Sequence, residues 1–416
     1  MLNGQNEAQK RSMRNNANSS SRKTFAEFFA GIGLMRIGLE RQGWQIVFAN
    51  DIDPQKEEIY RANFPDTVKH FLLRDIHDLS ASEIPSVALA TASFPCNDLS
   101  LAGGREGLEG KNSSAFWGFI KTLREMKRRR PPMVLIENVL GFLTSRDGRD
   151  FEDAMLALND LGYAVDPFIL DAASFVPQSR QRLFVVGTKV KDSDAEVVAE
   201  RFFESRVRPA ALADFIFSHP DINWRISRLP DPPRCGMRLE DIVEELPPDS
   251  PDWWNKERAK YLLNQMSPRH RQVADKMIAG RSWSYGTVFR RIRNNKSMAE
   301  LRTDGLAGCL RTPRGGSGRQ ILFKAGRSQY HVRLLTPREC ARLMGADDFK
   351  ITVPLNQALF GFGDAVCVPV IEWIARNYLN QLWEDEYALV SPFLQRNEVV
   401  SYGVSAGQKR AKAIIR

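Results

Sequence analysis

Between Thr24 and about Gly187 the chain repeats one pattern: a short apolar run, a polar or glycine-bearing tip, then a stretch with helical spacing. The apolar runs are Phe25–Phe29, Gln45–Ala49, Val87–Phe94, Met133–Ile136 and Leu183–Val186, and Leu34–Gln42 and Ala115–Lys127 are among the helical stretches between them. Strands that alternate with helices predict an α/β fold, a doubly wound parallel sheet with helices on both faces. In such sheets ligands gather outside the carboxyl ends of the strands. The residues at those ends are Gly31 and Gly33, Asp51, Cys96, and Glu137 with Asn138, a chemically loaded set.

The pattern stops after Gly187. From Lys189 to about Gln329 clean periodicity is scarce, prolines crowd Pro230–Pro251, and Trp253, Trp254 and Trp283 lie among basic residues. Order returns at Val332, with a helix predicted over Pro337–Met344. The expected organisation is a disordered leader (1–23), a first catalytic part (24–187), an inserted second domain (188–331), a last catalytic part (332–383) and a tail (384–416); a chain this long exceeds what one core usually organises. The leader has no apolar core of the kind a signal peptide needs, and the apolar runs read as too short to cross a bilayer. Cys96, Cys235, Cys309, Cys340 and Cys367 are dispersed, with no CxxC pair and no histidine at ligand spacing. That argues against disulfides and a metal and fits a reducing cytoplasm. Between Arg271 and Tyr330, 13 Lys and Arg face 3 Asp and Glu, so this one segment carries a local +10 against the chain's net +9. A concentrated basic segment suits a polyanion, whose phosphates release counterions when neutralised; a solvated basic face would look the same by charge alone.

Phe25 to Glu40 reads as strand, glycine turn and helix, and Asp51 follows the next apolar run, where a carboxylate can accept hydrogen bonds from a ribose. This is a nucleoside-binding layout that leaves nicotinamide dinucleotides and S-adenosylmethionine both open, although the spacing Gly31, Gly33, Gly38 departs from GxGxxG. At the next tip Pro95 stiffens the turn that presents Cys96. A thiolate, a carboxylic acid and a nucleoside cofactor together suit one reaction. Attack on carbon 6 of cytosine makes carbon 5 nucleophilic, and an acid at ring nitrogen 3, here Glu137, eases the attack because a desolvated carboxyl retains its proton more readily. Arg180 and Arg182 alternate, so an extended segment turns both to one face, where they can fix a base carbonyl and a phosphate.

In this order, FAGIGL, FPCNDLS, ENV and QSRQR resemble motifs of the DNA (cytosine-5) methyltransferases, and RLLTPRECARLMG and GFGDAVCVPV are similar to that family's last two. The resemblance implies an S-adenosylmethionine-dependent methyltransferase fold with a target recognition domain inserted where the motifs lapse. It implies transfer of a methyl group to a flipped cytosine of duplex DNA, with no metal. Cys96 would attack carbon 6, Glu137 engage nitrogen 3, Arg182 hold the cytosine carbonyl, Arg180 support it, and Asn138 support the Pro-Cys loop. Phe29, Gly31 and Gly33 would line the donor pocket with Pro95 and Asp364, Asp51 would take the ribose, and Asp75 with Ile76 would approach the adenine.

Three departures stand out: Asn97 where the family often has Gln, Lys111–Ser114 where it has an Asp-x-Arg-Gly segment, and Gly363-Asp364-Ala365-Val366 where it usually has Gly-Asn-Ser-Val. Ser100 and the basic residues Arg290, Arg291, Arg293, Arg311, Arg314 and Arg319 are the expected DNA contacts; most such arginines touch phosphates and few read bases. A monomer is expected, with a restriction endonuclease as a partner that shares the site without stable association. The rival readings are an RNA cytosine-5 methyltransferase and a catalytically silent DNA-binding regulator of the same fold.

Overall fold

The computed structural model describes residues 23–95, 114–189, 205–293, 296–312 and 318–388. Cys96, Ser100 and Arg314 lie outside the described residues. Seven strands form the large sheet: β1 (Thr24–Phe28), β2 (Gln45–Asp51), β3 (Phe71–Leu73), β4 (Leu89–Ala92), β5 (Met133–Asn138), β6 (Tyr163–Asp171) and β7 (Gln181–Lys189). Their order is β3-β2-β1-β4-β5-β7-β6. The first five are parallel, and the order reverses direction between β1 and β4. That reversal opens a crevice beyond the strand ends.

The last two strands depart from the parallel expectation, since β7 runs antiparallel to both β5 and β6. Only a short helical turn, Ala172–Ser174, lies between β6 and β7, too little chain for a crossover. The β6 strand, YAVDPFILD, did not stand out as an apolar run because Asp166 and Pro167 interrupt it. Burial of Asp166 is made tolerable by a local network: Arg208 Nη2 donates to Oδ1 at 2.5 Å, while the Tyr378 hydroxyl (2.6 Å) and the Ser227 N–H (2.8 Å) donate to Oδ2.

Apolar side chains cover both faces of the sheet. Leu34, Met35 and Leu39 of the helix Leu34–Glu40 pack on one face with Val368, Ile371 and Ile374 of the helix Val368–Ile374, so the beginning and the end of the chain share one core. Phe116 and Phe119 of Ser114–Glu125 and Phe151 and Met155 of Arg149–Asp160 cover the other. The stretch Leu355–Asp385 is apolar and long enough to cross a membrane by length and composition, contrary to the reading of short runs. It is interrupted at Ala365–Cys367, and 67% of its apolar window is buried inside the fold, which makes it a core element.

A second sheet emerges from the segment that lacked periodicity. Strands β8 (Ser284–Arg293), β9 (Lys296–Arg302), β10 (Ile321–Gly326) and β11 (Gln329–Leu334) pair antiparallel in the order β11-β10-β8-β9. One face is closed by the helices Lys256–Asn264 and Pro268–Ile278 through Leu262, Leu263, Ala274, Val288, Ile321 and Phe323. In contrast, Leu212 and Ile216, and Leu239 and Ile242, pack into the two clusters of the large sheet.

Arg208→Met strands the Asp166 carboxylate without its cation. Loss of one member of a buried pair costs about 3–5 kcal/mol, and urea unfolding should report a loss of that order. A change below about 1 kcal/mol would show that Tyr378 and Ser227 suffice to hold the carboxylate.

Candidate active site

A cavity of about 310 Å³ opens at the sheet reversal, within the size range of small-molecule pockets. It is walled by the tips of β1, β2, β4 and β5 and by Gly361–Val366 from the end of the chain. Of the expected donor-binding residues, Phe29, Gly31, Asp51, Pro95 and Asp364 line it. Gly33, Asp75 and Ile76 do not.

The turn after β1 is built for close approach. Phe29, Gly31 and Gly33 all have positive φ (59°, 58° and 86°), a left-handed backbone that glycine adopts without strain. At Gly33 the constraint is packing rather than ligand contact, because a Cβ there would sit 2.4 Å from the Phe64 ring. Asp51, at the end of β2, laces the turn together: Oδ2 accepts from the Gly31 N–H at 2.8 Å and Oδ1 from the Asp53 N–H at 2.9 Å. Burial pushes the Asp51 carboxyl up, against the opposing pull of Lys56 and these two N–H groups. Asp75 caps a short helical turn by accepting from the His77 N–H, one residue beyond the bond from Arg74 N–H to the Asp51 carbonyl. It therefore flanks the Asp51 end of the cavity without entering it.

At the other end, Glu137 and Asn138 terminate β5, both buried. Asn138 Nδ2 donates to the Phe94 carbonyl at 3.2 Å, tying β5 to the segment that leads through Pro95 toward Cys96. Arg182, opposite on β7, sets Nε 3.0 Å from Glu137 Oε1. Arg180 lies deeper and does not line the cavity. Its Nη1 donates to the Leu310 carbonyl (2.8 Å) and its Nη2 to the carbonyls of Gly363 (3.1 Å) and Ala365 (2.5 Å). Its guanidinium is thus committed to backbone behind the cavity that Arg182 lines, a supporting place and not one in contact with a ligand.

Several residues gave no signal in the sequence: Lys56, Ile52 and Glu27 line the cavity, and Cys309 lies behind it against Arg180 and Arg182. Cys309 places Sγ 3.3 Å from Arg180 Nη1 and 3.9 Å from Arg182 Nη2. Burial works to raise this thiol, but Arg180, Arg182 and Arg311 outweigh it and the net shift is downward. Lys56, in the first turn of the helix Pro54–Asn63, donates to Asp364 Oδ2 at 2.8 Å. Ile52, 62% exposed, offers an apolar surface beside Asp51. Glu27, on β1, is only 2% exposed, its Oε2 finds no partner, and burial pushes its carboxyl from the ordinary 4.5 up to about 8.

Charge decides what this cavity accepts. Among the described residues its lining carries five carboxyl groups, Glu27, Asp51, Asp53, Glu137 and Asp364, against two cations, Lys56 and Arg182. Glu27 keeps its proton near neutrality, but the other four carboxyl groups still outnumber the two cations, and an excess of negative charge at low dielectric repels a pyrophosphate and attracts a nucleoside bearing a cation. A dinucleotide is disfavoured; a sulfonium nucleoside fits.

The arginines expected at DNA form a looser set. Arg290, Arg291 and Arg293 lie on β8, with Arg291 and Arg293 exposed and both within ion-pair distance of Glu300 on β9 (3.7 and 2.8 Å). Arg311 is exposed beside the cavity wall, where the backbone of Arg311 and Thr312 presses on Gly363. Arg319 Nη2 donates to Asn356 Oδ1 at 2.5 Å. The three tryptophans make cation–π contacts inside the fold, Trp253 with Arg333, Trp254 with Arg258 and Trp283 with Lys324.

This sheet and cavity define the α/β fold of S-adenosylmethionine-dependent methyltransferases. Residues 23–380 match the family model of the C-5 cytosine-specific DNA methylases, and the chain belongs to that family. Its curated relatives include the type II methyltransferase M.DsaV of Dactylococcopsis salina, 29% identical with 86% of each chain covered. The type II methyltransferase M.HhaI of Haemophilus parahaemolyticus is 27% identical, with 85% of this chain and 93% of the relative covered. Among solved structures, the Dnmt2 methyltransferase of S. pombe superposes with a TM-score of 0.55 at 20% identity, covering 90% of this chain and 99% of that one. That likeness concerns the fold.

Glu27 generates a pH prediction. Its folded value lies above the unfolded one, so the unfolded chain ionises first as pH rises and stability drains away between about 4.5 and about 8. Glu27→Gln should melt higher than the parent at pH 8, with the gain shrinking toward pH 5. An equal gain at both pH values would contradict this.

Proposed function

We propose that this chain transfers a methyl group from S-adenosylmethionine to carbon 5 of a cytosine in a specific duplex DNA sequence, through a covalent adduct between Cys96 and the flipped base. The observation that carries this reading is the Glu137–Arg182 pair, set 3.0 Å apart on the wall of an acidic cavity that also holds Pro95, the neighbour of Cys96. The sulfonium donor supplies an electrophilic methyl group when bound.

The chain's own residues account for the rest. The Asp51 turn holds the nucleoside end, with Asp75 and Ile76 at its flank. In a duplex the target carbon is stacked away, so the base must leave the helix at a cost of a few kcal/mol, which surrounding contacts offset. The Cys96 thiolate adds to carbon 6 while the Glu137 carboxyl donates to ring nitrogen 3. Arg182 steadies that carboxyl and holds the base carbonyl oxygen. Carbon 5, now an enamine carbon, takes the methyl group, and the bond electrons stay with the departing sulfur as a neutral thioether; the carbon 5 hydrogen then leaves as a proton to solvent, the electrons of that bond expel the thiolate, and ring nitrogen 3 returns its proton to Glu137. Asn138 keeps the Phe94 end of the loop in register with Glu137. Arg180 positions the whole by joining β7 to the cavity wall and to the Cys309–Leu310 backbone.

The basic segment on β8 and around Arg311–Arg319 is the surface for DNA, with phosphate contacts giving affinity and a minority of side chains reading bases. Relatives named as type II methyltransferases support a role as the modification half of a restriction–modification system.

Bisulfite sequencing of DNA from a host expressing the chain should reveal methylated cytosines in one sequence context. Purified protein should methylate a duplex with that context and leave tRNA unmodified; the reverse preference would favour the RNA reading. Cys96→Ala should abolish turnover while leaving duplex binding within about twofold. Glu137→Gln should slow it by roughly 10²–10⁴-fold, the usual contribution of a general acid. A Cys96→Ala protein with parental turnover would overturn the assignment.

A further inference from the structure

The acidic lining that suits a sulfonium creates a difficulty for another part of the same ligand. The donor ends in an amino acid whose carboxylate is negative, and a lining in which carboxyl groups other than the protonated Glu27 still outnumber the cations repels it. Something on the wall must offset that repulsion. Of the two cations among the described lining residues, Arg182 is engaged with Glu137 at the base-proximal end. Lys56 is the other.

Lys56 is well placed for this task. It rises from the first turn of Pro54–Asn63, beyond Asp51, and its side chain is 22% exposed. Asp364, on the opposite wall, fixes Nζ at 2.8 Å and takes one of the three ammonium N–H groups. Asp364 and Asp51 together outweigh burial and push the Lys56 ammonium up, so it stays charged. The two residues also belong together in sequence terms. Asp364 stands where the final motif usually has Asn, and an amide could not hold an ammonium by charge.

We propose that Lys56, oriented by Asp364, is the receptor for the α-carboxylate of the methyl donor, a subsite created in this chain by the Lys56–Asp364 ion pair. The inference rests on the methyl-donor reading above. It assigns Lys56 to donor binding and gives it no part in the chemistry at the base.

Equilibrium binding separates the possibilities, with two thioethers that cannot turn over: S-adenosylhomocysteine and its decarboxylated analogue, which keeps the ammonium and lacks the carboxylate. A hydrogen bond to a charged group is worth about 1.5–3 kcal/mol, so the full-length parent should prefer the first ligand by about tenfold or more. Lys56→Met should reduce the preference to about twofold or less by weakening only the carboxylate-bearing ligand, and Lys56→Arg should keep much of it. Lys56→Gln replaces the Met variant if thermal melting shows that variant to be unfolded. A parent without preference, or a Lys56→Met protein that retains the parental preference, overturns the proposal while leaving the donor reading intact. A parent that binds neither thioether overturns both.

Discussion

One buried guanidinium holds this molecule's working parts together. Arg180 is 3% exposed and donates to the carbonyls of Leu310, Gly363 and Ala365, with the Cys309 sulfur beside it. These contacts join three regions distant in sequence: the strand that carries Arg182, the backbone next to the basic segment 130 residues on, and the wall that closes the cavity, 183 residues on. A buried cation held by carbonyls rather than a carboxylate, with its Nε left without a partner, is costly, and both burial and the neighbouring Arg182 pull its proton affinity down. That cost is tolerable because Arg180 is bonded on several sides at once. Without it the Gly361–Val366 wall would lose its anchor to β7, and Arg182 its fixed distance to Glu137.

The cavity that results is selective by charge as much as by shape. Its carboxyl groups come from four separate places, β1, the tip of β2, the end of β5 and the Asp364 wall, so no short motif encodes the field they make. Burial in the wall of this cavity raises the Glu27 carboxyl to about 8, so strand β1 carries a group that sacrifices stability near neutrality. Such local strain against the fold is common where a site is built for a ligand.

Much of the fold was legible because it rests on local pattern. The parallel half of the large sheet followed from apolar runs and helical spacing, and the tips that carry Gly31, Asp51 and Glu137 followed from their position after those runs. What escaped depends on partners distant in sequence. Strand β6 was hidden because Asp166 interrupts it, and only the folded chain brings Arg208 and Tyr378 to that carboxylate. Strand β8 was hidden because Arg290, Arg291 and Arg293 occupy its protruding end, which masks the buried Val288 side. Gly33 read as a ligand contact and serves packing against Phe64. Lys56, Glu27 and Cys309 have no motif at all; Lys56 and Cys309 matter by the charges placed opposite them, and Glu27 by its burial.

The central claim is that the thiol of Cys96 bonds to carbon 6 of the target base. A duplex with 5-fluorocytosine at the methylated position cannot lose a proton from carbon 5, so the adduct should persist once the methyl group has been transferred. Mass spectrometry of the digested complex, formed with S-adenosylmethionine present, should then find the modified nucleotide on the peptide containing Cys96 and on no other cysteine. Full methyl transfer to normal duplex with no trapped adduct, or an adduct at Cys309 instead, would contradict the account.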